Sequence, residues 1–350
     1  MDPVVGPPRP GFDRGGPTLA EVGEAELLRR LTALALRQGP DPRLTVGSGD
    51  DAAVWQPPAG AGIVLSQDAI VEGEDFLRPW TDPRTLGGRA LAVALSDIAA
   101  MGARPRLCLV TLCAPGSTGV ADLLGIQEGI CAAAAAAGCQ VAGGDVSAID
   151  GPLVVDVAAM GTVDPRRALR RDRGRPGDAL VVTGSLGGAA AGLHLLLQGL
   201  DASGADAERW LDRQLRPRAR LAEGRALSEL GVECAGDLSD GLIVDVGRIT
   251  EASGCGAELW RESIPADPGI ESLLGDGWVD AALGGGEDFE LVAAVAADRL
   301  EGLLAAWPAG LEPLHVVGRL DQGSGLRLRD RRGGELVPLP GVASRHFRQP

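Results

Sequence analysis

The chain has 350 residues, 45% of them hydrophobic, with 33 basic against 48 acidic side chains and a formal net charge of −15. It contains no Lys, Asn or Tyr, which excludes a Walker-A phosphate loop, a Schiff-base lysine and N-glycosylation. So acidic a chain also lacks the basic footprint that nucleic acid requires.

The length suits two domains, each able to bury its own core. Residues 1–17 are rich in Pro and Gly, lack a signal peptide's apolar stretch and are expected to be disordered. Thr18-Leu-Ala-Glu21 reads as a capping box, followed by Leu19, Val22, Leu27, Leu28 and Leu31 at helical spacing. A glycine turn over 47–51 leads to 52–55, and 63–66 reads as a short buried strand ending in Gln67-Asp68. A helix is predicted from Asp82-Pro83 through Met101 to a stop at Gly102. A strand over 106–113, a helix over 120–137 and a short strand over 140–142 follow, the last ending in Gly143-Gly144-Asp145. A further strand over 153–163 closes an N-terminal domain of 18–163.

The basic cluster over 166–176 reads as a hinge into a C-terminal domain of 164–347. There, 179–183 is a strand, 186–198 a helix, 218–230 a second helix opened by Pro217, and 242–252 a third. Residues 289–295 form another strand, with mixed signals out to Leu320. Alternating strands and helices give an α/β (α+β) class. The six cysteines form no CxxC pair and read as small buried hydrophobes in a reducing compartment, the cytoplasm. No apolar stretch looks both long and uncharged enough to span a membrane.

Acidic residues gather at strand ends and glycine turns: Asp50, Asp51, Asp68, Asp145, Asp237, Asp240, Glu287 and Asp288. One such residue is ordinarily an Asx-turn or a cap. A set of them calls for cations, and hard oxygen ligands favour Mg²⁺ or Ca²⁺. Asp97 lies in a helix apolar on nearly every face, so burial is expected, with either an arginine partner (Arg89 or Arg104) or a metal. Asp240 or Ser239 is expected to cap the helix that follows, while Asp237 precedes the cap. The segment 181–192 resembles a dinucleotide loop only weakly, and close helix–strand packing accounts better for its glycines. One arginine of the basic cluster could reach a phosphate.

Taken together, GSGDDAAV (47–54), SQDAIVEGEDF (66–76), ALAVALSDIAAMGARP (90–105), VAGGD (141–145), GDLSDGLIVDVGRI (236–249) and GGGEDFEL (284–291) resemble the thiamine-monophosphate kinase family of the aminoimidazole-ribonucleotide-synthetase superfamily. The resemblance runs through residues 18–347. It implies a two-domain fold whose N-terminal domain dimerises, and ATP-dependent phosphorylation of thiamine monophosphate by direct in-line transfer with several Mg²⁺ ions. Carried over by position, Asp51, Ser66, Asp68, Asp97, Asp145, Asp237 and Asp240 would be metal residues, with Asp145 and Asp240 catalytic. Gly144, Asp145, Arg171 and Ser239 would line ATP, while Asp75 and Glu287 would face the substrate. This chain has Ser66-Gln67-Asp68 where the family usually has Ser-Thr-Asp, and Asp75 where it has His. It also has no aromatic before His346-Phe347. Two alternatives stay open: a divergent phosphotransferase with another small-molecule acceptor, or a nucleotide-binding relative without this activity.

Overall fold

The structure, a computed structural model, describes residues 11–12, 15–39, 41–200 and 203–341. The segment containing His346 and Phe347 lies outside them. Of the expected tail, Phe12 sits under the Arg78 guanidinium at 5.3 Å, and the Pro17 carbonyl accepts the Val120 N–H at 3.0 Å. The chain divides into two compact units. The first takes the described residues through Ile98, Arg104–Asp164 and Leu196–Leu200; the second takes Ala99–Ala103, Pro165–Leu195 and the described residues from 203 on.

In the first unit, the N–H and hydroxyl of Thr18 both donate to Glu21 Oε2, at 2.8 and 3.0 Å. The capping box is present, but the single helix expected after it is broken at Gly23, where φ is 79°. The result is a four-residue α1 (Leu19–Val22) and α2 (Glu24–Ala35), whose Leu27, Leu31 and Ala35 are buried. β1 (Leu44–Val46) and β2 (Val54–Trp55) make a small hairpin. β3 (Gly62–Val71) is ten residues long and alternates in exposure. It is neither short nor buried, since Ile63 and Leu65 are 44% and 74% exposed. Asp82 opens α3 (Pro83–Ala100) by accepting the Thr85 N–H at 3.0 Å.

After β4 (Arg104–Ala114) comes α4 (Val120–Ala137), then β5 (Gln140–Ala148) and β6 (Val154–Val163). The strand order is β3-β6-β4-β5. Only β4 and β5 are parallel, as a helical crossover between them requires. β5 does not stop at Ala142, so Asp145 stands within a strand rather than at a turn. Contrary to expectation, α4 is long and apolar enough to cross a membrane by length and composition. Here it is a core helix, with Leu123, Ile126, Ile130 and Ala134 fully buried.

The second unit is a seven-stranded sheet of order β13-β12-β9-β11-β7-β10-β8. In chain order its elements are β7 (Ala179–Thr183), α5 (Gly188–Gln198), α6 (Ala205–Leu215), α7 (Leu221–Glu229), β8 (Cys234–Asp237) and α8 (Leu242–Ser253). Then come β9 (Gly256–Trp260), α9 (Ile270–Leu274), α10 (Trp278–Gly284), β10 (Leu291–Val295) and α11 (Leu300–Ala306). β11 (Leu314–Asp321), β12 (Gly325–Arg329) and β13 (Leu336–Val337) complete it. All pairs are antiparallel except β12 with β9. Leu180 and Val182 enter one core cluster and Val181 the other. A strand covered on both faces reads as a continuous apolar run.

Helices α3 and α4 touch through glycines. A Cβ on Gly129 would lie 1.9 Å from the Arg84 carbonyl oxygen, and one on Gly87 equally close to that of Ile126. Neither obstacle is a side chain that can swing away. Gly129→Ala should therefore lower stability by about 1–3 kcal/mol in urea unfolding. Gly88→Ala, with nothing within 4 Å of the added Cβ, should be neutral or stabilise by up to about 1 kcal/mol.

Candidate active site

In the first unit, strand register sorts the expected residues onto two faces. One row of paired residues is Asp68–Val157–Val110–Gly144; the next is Ala69–Asp156–Thr111–Asp145. Because side chains alternate, Ser66 and Asp68 share the helix-covered face with Val110, Val157 and Ala159, all buried. There the Ser66 hydroxyl donates to Asp97 Oδ2 in a short contact. Asp97 is half-buried, unlike its buried neighbours Ser96 and Ile98.

Asp145 falls on the opposite, exposed face, where Ser147 Oγ donates to it at 3.3 Å. Gln67 belongs to that face too and donates to Asp156 at 2.8 Å. Its difference from the family pattern therefore does not touch Ser66 or Asp68. Gly144 is fixed by space: a Cβ there would lie 1.9 Å from the Val110 carbonyl oxygen. Asp51 is exposed beside Asp50. Asp75 closes the turn after β3, one carboxylate oxygen accepting the Val71 N–H at 2.7 Å.

In the second unit the β8–β10 pairing continues past both strands. Leu238 donates to the Glu290 carbonyl at 2.8 Å, Phe289 to that of Leu238 at 3.0 Å, and Glu287 to that of Ser239 at 2.8 Å. The run Glu287–Glu290 pays for this with left-handed backbone at Glu287 (φ 67°) and Phe289 (φ 50°). A Cβ on Gly286 would lie 2.6 Å from the Ser239 carbonyl oxygen, so the triple glycine lets the two loops meet backbone to backbone. Buried Asp237 lies 3.5 Å from Arg171, a member of the basic cluster. The Arg171 carbonyl is tied to α8 by the Ser253 hydroxyl at 2.7 Å.

Contrary to the reading of the sequence, neither Ser239 nor Asp240 caps α8: no side chain caps its first turn, and the N-cap is Gly241. Instead Asp245 reaches back to the Asp240 N–H at 3.0 Å, and Arg248 pairs with both carboxylates. Burial, reinforced by Asp237, pushes the Asp245 carboxyl up to about 7, with Arg248 pulling the other way.

The glycine turn before α5 is closed to phosphate. Asp288 accepts the Gly187 N–H at 2.7 Å and the Ala189 N–H at 3.2 Å, filling the helix start with a carboxylate. Packing explains the glycines, since a Cβ on Gly187 would lie 2.8 Å from Ile270 and one on Gly192 2.2 Å from the Trp210 carbonyl oxygen. Beneath lies a charge network absent from the sequence-based expectations. Glu290 receives Thr183, Arg213 and Arg220, while Asp267 receives Ser185, Arg209 and Trp210. Gln214 donates to Glu287 at 2.6 Å. The signal was there to find: Arg209, Arg213, Arg216, Arg218 and Arg220 form a second arginine-rich stretch.

Residues 49–163 match the N-terminal domain of AIR synthase related proteins, and residues 175–331 match the C-terminal domain. Thiamine-monophosphate kinase of Bacillus subtilis (strain 168) is 32% identical over 299 residues, which is 85% of this chain and 91% of the relative. The chain belongs to the thiamine-monophosphate kinase family. A crystal structure of thiamine-monophosphate kinase from Stenotrophomonas maltophilia K279a is 37% identical with a TM-score of 0.77, covering 87% of this chain and 96% of that one. AaThiL complexed with AMPPCP and TMP is 27% identical with a TM-score of 0.73, covering 93% of this chain and 98% of that one. Of the site residues that resemblance to the thiamine-monophosphate kinase family implied, all fall inside the two matched segments except Arg171, which lies between them.

The Ser66 hydroxyl and the Asp97 carboxylate it meets are both oxygen donors, a kind that suits Mg²⁺ better than zinc. Among the described residues, no three His, Cys, Asp or Glu side chains lie close enough to hold a metal by themselves.

Burial pushes the Asp288 carboxyl up to about 7, against its two backbone donors and Arg213, with Glu290 adding like charge. The folded state then holds a proton that the unfolded chain releases near pH 4. This contribution to stability is greatest below pH 4, falls as pH rises and is gone above about 7. Asp288→Asn, which cannot ionise, should gain in melting temperature relative to the parent between pH 5 and 8, measured by paired thermal scans.

Proposed function

We propose that this protein phosphorylates thiamine monophosphate to thiamine diphosphate with ATP. Membership in the thiamine-monophosphate kinase family over 91% of the Bacillus relative's length carries the reading. AaThiL, similar across 93% of this chain, binds AMPPCP and TMP. A terminal phosphate oxygen of the acceptor would attack the γ-phosphorus directly, forming the new P–O bond as ADP leaves. No side chain needs to act as a covalent nucleophile.

Ser66, Asp68 and Asp97 would hold Mg²⁺ through oxygen, and Asp51, Asp145, Asp237 and Asp240 would hold further ions. Bound Mg²⁺ would neutralise the phosphates and polarise the transferring group. At Asp237 and Asp240 such an ion would replace or share the arginine partners Arg171 and Arg248. Arg171, pre-placed by its backbone tie to α8, would turn to a nucleotide phosphate, with Gly144 and Ser239 offering close backbone approach. Glu287 would face the cationic thiazolium ring.

We further read the protein as a homodimer joined through the exposed face of the first unit's sheet. Leu65 and Leu109, 74% and 47% exposed, stand there with Trp55, Ile63 and Met160 around a cleft of about 680 Å³. The cytoplasm is the setting that suits six free cysteines.

ADP release coupled to thiamine monophosphate tests the assignment. Mg²⁺-ATP should give acceptor-dependent turnover, and Asp145→Ala should lower kcat by about 100-fold or more. Tight nucleotide binding without acceptor-dependent ADP release would sink the thiamine reading and leave the fold untouched.

A further inference from the structure

Helix α6 turns a row of donors toward Asp267 and the acidic loop Glu287–Glu290. Trp210 Nε1 donates to Asp267 at 2.9 Å, Arg213 Nη1 to Glu290 at 2.7 Å, and Gln214 Nε2 to Glu287 Oε2 at 2.6 Å. Positions three and four apart lie on one helix face, so all three donors point the same way.

The acids of Glu287-Asp288-Phe289-Glu290 are each held differently. Glu290 is fully buried between two guanidinium groups, and Asp288 is held by backbone N–H groups. For half-buried Glu287 the α6 partner is a side-chain amide, which fixes the direction of the carboxylate and adds no charge of its own. Gln214 is only 4% exposed. Gly192 keeps it in place, since a Cβ there would lie 2.2 Å from the Trp210 carbonyl oxygen and 2.9 Å from Gln214 Cβ. At its other end Glu287 is pinned by its own N–H on Ser239. Backbone and side chain are thus both anchored, from two different elements.

We propose that Gln214 is a positioning residue for the acceptor: it aims the Glu287 carboxylate so that a cationic heterocycle, the thiazolium ring, meets it. This rests on the reading of Glu287 as the thiamine-end residue. A leucine at 214 fills similar space but cannot donate. An arginine there would aim the carboxylate too, at the cost of placing a positive charge beside a positive ligand.

Steady-state kinetics of the full chain, varying thiamine monophosphate and Mg²⁺-ATP separately, test this with Q214L, Q214H and E287Q. Q214L should raise KM for thiamine monophosphate about 10-fold or more, the loss expected for a hydrogen bond to a charged group. KM for ATP and kcat should stay within about twofold, a split that general loosening of the fold would not produce. Q214H, whose ring N–H donates, should recover most of the affinity. If Q214L fails to fold, Q214M, unbranched like glutamine and without charge or N–H donor, should show the same split. An unchanged KM in Q214L alongside a raised one in E287Q overturns the positioning role and keeps Glu287 at the site. An unchanged KM in E287Q itself overturns the reading of Glu287, and the proposal with it.

Discussion

Glu290 is the residue on which the second unit turns. Its carboxylate is fully buried and is held by the Thr183 hydroxyl from β7 and by Arg213 and Arg220 from either side of the α6–α7 connection. A buried ion pair adds little to stability compared with an apolar pair of equal volume, but losing one partner costs about 3–5 kcal/mol. The arrangement is therefore all-or-none. It fixes where β10 begins, and so where Glu287 and Asp288 must stand. The left-handed residues at Glu287 and Phe289 are tolerable because the chain is clamped just beyond them.

The same economy of charge runs through the molecule. A net charge of −15 suggests a surface of mutually repelling carboxylates. Many of these groups are instead matched within the fold, by arginines (Asp237, Asp240, Glu290), by backbone N–H groups (Asp288, Asp75) or by a hydroxyl (Asp97). Every cationic partner is Arg, since the chain has no Lys. A planar fork can hold two carboxylates at once, as Arg248 does for Asp240 and Asp245.

How far the sequence was legible depended on whether a signal was local. Helix α4 and strand β7 were delimited correctly because apolar runs and flanking glycines mark their ends. The capping box at Thr18 was legible, while the break at Gly23 was not, since a helix can absorb one glycine unless packing forbids it. Ile63, Val64 and Leu65 look like a core run, so the sequence suggests a short buried strand at β3. In fact one face of the strand is open. Helix α6 is not legible in the sequence because its polar residues mask a narrow apolar stripe, and its role depends on acids more than fifty residues away. Of the site, the residue types and their order could be read directly. Which face each carboxylate takes could not, because that is set by cross-strand register.

That register gives β3 a division of labour. Even-numbered Ser66 and Asp68 answer to the covered side, while odd-numbered Leu65, Gln67 and Ala69 answer to the open side, the face that Asp145 shares. The strand can thus carry two independent histories of substitution interleaved residue by residue. Exchange at position 67 adjusts the outer surface and spares the inner one. Inserting a single residue upstream would exchange the two roles wholesale, turning Ser66 and Asp68 outward and driving the outer set into the core.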